Sequence, residues 1–197
     1  MRTILIMFLA GGFLLSCENK KKSTEGEKDI EVKSYLPIKD FILEDMRQID
    51  SFAGGMLLRE IVNNKKDSVF LAPNDYKKFI DKFLVPELDS ARFNKDYDES
   101  SLMDETTQML NFIYTAKDPN AALKRVILYV SPSLSIDRVN RVYMEKEKLM
   151  GDTSISERLT WKMKQYFMIV ENKQTPAGYQ SKKIQKIIWD PTLFSEE

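Results

Sequence analysis

The chain has 197 residues, of which 43% are apolar and 30% charged, a composition typical of a globular protein and not of a disordered or collagen-like one. It contains no histidine and one cysteine, which excludes His-based catalytic triads, internal disulfides and thiolate metal cages. Thirty basic residues balance thirty acidic ones. A protein that binds nucleic acid by neutralising phosphates carries a net positive charge, so no nucleic-acid partner is expected.

The first residues have the pattern of an export signal. Met1 and Arg2 precede an apolar run of twelve positions, Ile4 to Leu15, interrupted only by two glycines. A membrane-spanning helix needs about 20 apolar residues, whereas the hydrophobic region of a signal peptide needs roughly 7 to 15. The run ends at Leu14-Leu15-Ser16-Cys17, which places the chain's one cysteine directly after a small residue.

This segment resembles the type II signal peptide, or lipobox, of bacterial lipoproteins. The resemblance implies that residues 1–16 are removed and that Cys17 is lipidated, which holds the protein at a membrane. Glu18 stands where an aspartate would imply retention in the inner membrane, so the outer membrane is expected. In some bacteria an acidic patch after the lipidated cysteine directs a lipoprotein to the cell surface. The three lysines Lys20 to Lys22 do not fit that pattern, so we expect the lipoprotein to face the periplasm, with surface exposure as the alternative.

Residues 17–34 are interpreted as a flexible tether between the lipid and the domain. Ten of the sixteen residues from Glu18 to Lys33 are charged, five of each sign, and such a segment cannot bury itself. Residues 35–197 have the size of a single domain. The domain should begin with helices, because apolar residues from Ile38 to Leu57 follow a helical stripe. A second helix is predicted to begin at Pro73 and to end before Pro86.

The pattern then changes to the alternation typical of strands. Five strands are predicted: Thr106 to Thr115, Leu123 to Ser131, Val139 to Leu149, Glu157 to Val170 and Tyr179 to Trp189. A hairpin turn near Gly151-Asp152 would pair Met144 with Trp161 and Val142 with Met163 on the buried face. The same register sets Glu147 opposite Arg158 on the exposed face.

Helices followed by a meander predict an α+β fold, with the N-terminal helices packed on one face of a four- to five-stranded curved antiparallel sheet. This layout loosely resembles the cystatin and NTF2-like folds. Such folds host carriers, enzymes and interaction modules alike. If the domain binds an apolar ligand or acyl chain between helices and sheet, the candidate lining residues are Phe79, Phe83, Trp161, Met163 and Phe167.

No catalytic residue, metal or cofactor is predicted. Asp104 and Glu105 are the candidate carboxylates if the protein is a hydrolase. Glu145 and Glu147 lie on a strand face rich in basic residues, which favours a cross-strand charge ladder over an active site. A calcium site is suggested by the EF-hand spacing of Asn94, Asp96, Asp98, Ser100 and Glu105, but Glu99 stands where the EF-hand turn needs glycine. A solvated acidic loop is the simpler interpretation. The chain is therefore expected to be a non-catalytic interaction module with an envelope protein as partner, the alternative being the apolar-ligand carrier.

Lipidation can be tested by substitution of Cys17. No apolar run near 20 residues follows this position, so a covalent lipid is the anchor that we expect. Cys17→Ala should leave an uncut precursor or release a soluble periplasmic form. Partition between aqueous and detergent phases measures the difference. If a variant that has lost residues 1–16 still partitions into detergent like the processed wild type, the lipoprotein interpretation is wrong.

Overall fold

The computed structural model describes residues 36–51, 54–72, 74–132 and 139–195. Cys17 and the predicted tether lie outside these ranges. The described residues contain nine strands in one antiparallel sheet. The strands are β1 (Met56–Val62), β2 (Lys65–Leu71), β3 (Tyr97–Asp104), β4 (Met109–Ala116), β5 (Leu123–Val130), β6 (Val139–Met150), β7 (Thr153–Lys162), β8 (Tyr166–Gln174) and β9 (Gln180–Ile188).

The sheet is a meander to which an N-terminal hairpin is added. Its strand order is β2-β1-β9-β8-β7-β6-β5-β4-β3, so the seven strands from β3 to β9 are neighbours in both sequence and space. Strand β1 then pairs with β9. The β1–β2 hairpin closes through Asn63 and Asn64, whose φ angles of 47° and 71° are those favoured by tight two-residue hairpin turns. Asparagine tolerates this left-handed region better than most residues.

The prediction of an α+β fold with four or five strands is wrong, because the described residues are mostly β-sheet. Met56 and Leu57, assigned to a helical stripe, instead begin β1 and pair with Leu71 and Phe70. The predicted acidic loop contains β3, an edge strand in which Tyr97 is the only buried position. The long strand predicted from Glu157 to Val170 is two strands, β7 and β8, joined by a turn.

Helices occupy a small part of the described chain: α1 (Ile38–Ser51), α2 (Lys77–Ile80), α3 (Ser90–Asp96) and two 3₁₀ turns at Pro86–Leu88 and Pro191–Leu193. Helix α1 follows the predicted stripe but ends at Ser51. The helix predicted to start at Pro73 is only the four-residue α2. Buried side chains of this helical layer, such as Ile42 and Phe83, join the central strands in one hydrophobic core.

The β6–β7 hairpin has the predicted faces in a different register. Met144 pairs with Leu159, Val142 with Trp161, and Glu145 with Arg158, a shift of two residues from the prediction. A two-residue shift leaves the strand side chains on their predicted faces, because side chains alternate with a period of two. Met163, predicted opposite Val142, instead lies in the turn after β7. The shift arises because β6 extends to Met150 and β7 begins at Thr153, which leaves only Gly151 and Asp152 in the turn. The φ of 58° at Gly151 suits such a two-residue turn.

Candidate functional site

Strand register divides the sheet side chains into two faces. The covered face contains Val142, Met144, Leu159, Trp161 and Phe167 and packs against the helical layer. We call the opposite side the open face. Across strands β5 to β8 it carries two central rows of cross-strand neighbours. The first row is Tyr129, Arg141, Lys162 and Tyr166, and the second is Ile127, Tyr143, Thr160 and Met168. At the β1–β2 end, this side contacts the C-terminal segment, where the rings of Phe70 and Phe194 lie 5.7 Å apart.

Four of the predicted ligand-binding residues meet in the core of the covered face. Trp161 stacks on Phe167 with ring centroids 5.1 Å apart, and Phe83 contacts both rings edge-on at 5.2 and 5.5 Å. Phe79 lies 6.4 Å from Phe167. The fifth residue, Met163, follows β7 in the turn and is half-buried against the core. These contacts explain core packing, and ligand binding by these residues stays a prediction.

Asp45 of α1 is a buried carboxylate that the sequence analysis did not identify. Its Oδ2 accepts a hydrogen bond of 2.7 Å from Trp161 Nε1, and both oxygens accept from the backbone N–H of Lys164 at 3.1 Å. Burial raises the pKa of Asp45 above its ordinary value, against the opposing effect of these hydrogen bonds. The sequence did contain a signal, because Ile38, Ile42, Asp45 and Ile49 share one helical stripe.

A cleft of about 380 Å³ opens beside Asp45, between α1 and the end of β9. Ile49, Trp189 and Pro191 supply apolar walls, and the polar lining comes from Asp45, Gln48, Lys164 and Asp190. Asp190 already accepts from the backbone N–H and the hydroxyl of Thr192. The cleft has the size and mixed lining of a small-molecule site.

An ion cluster occupies the other end of the covered face. Lys82 of the helical layer lies 2.5 Å from Glu157 and 3.2 Å from Glu171, and Lys146 lies 4.0 Å from Glu157. Although burial lowers the pKa of Lys82, the hydrogen bonds and charges of the two glutamates raise it overall. The Glu157 side chain is only 4% exposed, so these partners are what permit its burial. The cluster joins the two layers.

On the open face, a row of cationic and aromatic side chains crosses four neighbouring strands. Tyr129, Arg141, Lys162 and Tyr166 pair in succession from β5 to β8. The Arg141 guanidinium carbon lies 3.7 Å from the centroid of the Tyr129 ring, and Lys186 Nζ lies 4.2 Å from that of Tyr166. Both distances are within the range of cation–π interactions. Lys162 donates a hydrogen bond to the Asn140 side chain.

The open face has an excess of positive charge over the central strands. From β5 to β9 it carries two acidic residues, Glu145 and Glu147, and six basic ones: Arg125, Arg141, Arg158, Lys162, Lys182 and Lys186. Arg125 pairs with Glu145 at 2.9 Å. Within the described ranges, neither Arg141 nor Lys162 has a carboxylate within ion-pair distance. Burial and the nearby Arg141 charge lower the pKa of Lys162.

The carboxylates considered for catalysis or calcium binding do not form a cleft. Asp104 is half-buried at the end of β3, and hydrogen bonds from Thr107 lower its pKa, whereas a general acid would need a raised one. Asp98 and Ser100 belong to the extended strand β3 and not to a loop that could surround a cation. In the part of the chain that the structure describes, no group of three or more acidic or cysteine side chains could hold a metal ion.

No helix among the described residues is long and apolar enough to cross a membrane. Comparisons with protein-family models, with curated proteins and with solved structures found no match.

The buried Asp45 predicts a specific dependence of stability on pH. The pKa of Asp45 is raised above 3.8 in the folded protein. The contribution of Asp45 to the free energy of unfolding should therefore be largest below pH 3.8 and should decline as the pH rises through the pKa of the folded state. The free energy of unfolding of the wild type, relative to Asp45→Asn, should therefore fall from acidic to neutral pH. Urea unfolding over this range measures it. Asp40→Asn, at an exposed position of α1, is the control. If the difference in free energy of unfolding between wild type and Asp45→Asn stays constant or rises with pH, the raised pKa of Asp45 is contradicted.

Proposed function

We propose that this protein is a non-catalytic lipoprotein of the outer membrane, anchored through Cys17 and facing the periplasm. Its domain serves as an interaction module for an envelope protein, with a role in envelope assembly. Lipid anchoring is supported by the signal-like N-terminus, since two or three acyl chains, at about 0.8 kcal/mol per buried methylene, would hold the domain at a bilayer.

The open face is the observation that carries the proposal for the domain. The contacts of the helical layer described above lie on the covered face, where helix α1 binds Trp161 through Asp45. On the open face, large side chains such as Tyr143 and Met168 stay half-buried among basic residues. Tyrosine and arginine are enriched at the centres of protein interfaces. A surface of this composition supports binding of another protein.

A second candidate function is the carrier of a small apolar molecule. The cleft beside Asp45 favours it, because Ile49 and Trp189 give that cleft apolar walls between the helical layer and the sheet. The buried Asp45 carboxylate lines the same cleft, so a wholly apolar ligand would leave that group next to an apolar surface. For this reason the interaction module is the better-supported function.

Site-specific crosslinking in intact cells tests the proposed function. A photo-crosslinking amino acid replaces Met168, in the open face, or Lys39, an exposed position of α1. If the open face binds a protein, Met168 should yield a reproducible adduct of defined mass that Lys39 does not. Absence of an adduct at Met168, or the same adducts from both positions, would overturn the proposal. A carrier predicts no protein adduct from either position.

A further inference from the structure

We propose that the partner of the open face presents an acidic protein segment, whose carboxylates bind Arg141 and Lys162 between the rings of Tyr129 and Tyr166. This inference rests on the proposed function and adds the chemistry of the partner. The four residues are successive cross-strand neighbours, which makes them one continuous row on the surface.

The length of the row fits a short extended segment. Adjacent strands lie about 4.8 Å apart, so four strands span roughly 14 Å. An extended chain rises about 3.3 Å per residue, and about four or five residues cover this distance. Arg141 and Lys162 occupy the middle of the row. Carboxylates near the centre of such a segment would reach both cations.

The cations are held in place before any ligand binds. The Tyr129 ring supports the Arg141 guanidinium at 3.7 Å, and stacking leaves the N–H groups at the edge of the guanidinium plane available for a carboxylate. The Asn140 side chain accepts a hydrogen bond from Lys162. Pre-ordered donors lose less conformational entropy on binding. A carboxylate placed between the two cations would also relieve their mutual repulsion.

The surroundings of the row favour a narrow protein segment over an anionic membrane surface. Arg141 and Lys162 are half-buried side chains on a sheet face, and they do not project from a loop. Glu145 and Glu147 lie on the same face, further along β6. A broad anionic bilayer would meet these glutamates together with the cations, whereas a segment following the row would pass beside them. Like charges brought close together oppose binding.

The test measures binding of short poly-L-glutamate to the full-length protein in non-ionic detergent. The expected result is that binding by wild type weakens with added salt and that the double variant Arg141→Gln/Lys162→Gln loses at least tenfold in affinity. Lys39→Gln/Lys65→Gln removes two exposed charges elsewhere and should bind like wild type. Lys162→Arg keeps the charge and should retain most of the binding. Thermal unfolding verifies that each variant is folded.

The remaining outcomes would overturn the inference. If the double variant and its control lose the same affinity for poly-L-glutamate, binding depends only on the net charge of the protein and not on the row. Binding of phosphatidylglycerol vesicles that depends on Arg141 and Lys162, without binding of poly-L-glutamate, would assign the row to a membrane. If poly-L-glutamate fails to bind but Met168 still gives its specific crosslink, the acidic partner is excluded and the proposed function stands. If both fail, the proposed function fails as well.

Discussion

The indole of Trp161 joins the two layers of the domain. Its ring stacks on Phe167 of the neighbouring strand and meets the edge of Phe83 from the helical layer. Its N–H donates to Asp45 of α1, so one side chain fixes both the helix and the sheet. Removing the Asp45 carboxylate would leave the buried indole N–H without this acceptor, at a cost of about 1–3 kcal/mol, whereas Asp45 without the indole would keep its hydrogen bonds from the Lys164 N–H. This constraint commits the helices to one face of the sheet.

The two faces consequently deal with charge in different ways. On the covered face, Lys82 lies between Glu157 and Glu171, and the buried charges compensate one another. On the open face, the described residues place Arg141 and Lys162 beside aromatic and amide groups, with no carboxylate at ion-pair distance. Such cations are stable because they remain partly hydrated, and they can exchange water for an anionic partner. This difference is why we assign binding to the open face.

The alternation of side chains predicted the buried face of β6 and β7 correctly, because one face of these strands is strongly apolar. The β7–β8 turn was missed since it contains neither Gly, Pro nor Asn; Lys164 adopts the left-handed φ of 64° instead. Strand β3 was unrecognisable because an edge strand with one covered side needs few apolar residues. The burial of Asp45 was not predicted, although its spacing from Ile42 and Ile49 places it on the buried stripe of α1. The open row could not be predicted, because it depends on the register of four strands.

The most direct test of this account compares cysteine labelling at two adjacent positions of β8. Met168 lies on the open face and is half-buried, whereas Ile169 lies on the covered face and is 1% exposed. With the parent chain as background, Met168→Cys should react with a maleimide in the folded protein, and Ile169→Cys should react only after unfolding. Equal reactivity at the two positions, or protection of Met168→Cys in the folded state, would contradict a sheet with one covered and one open face.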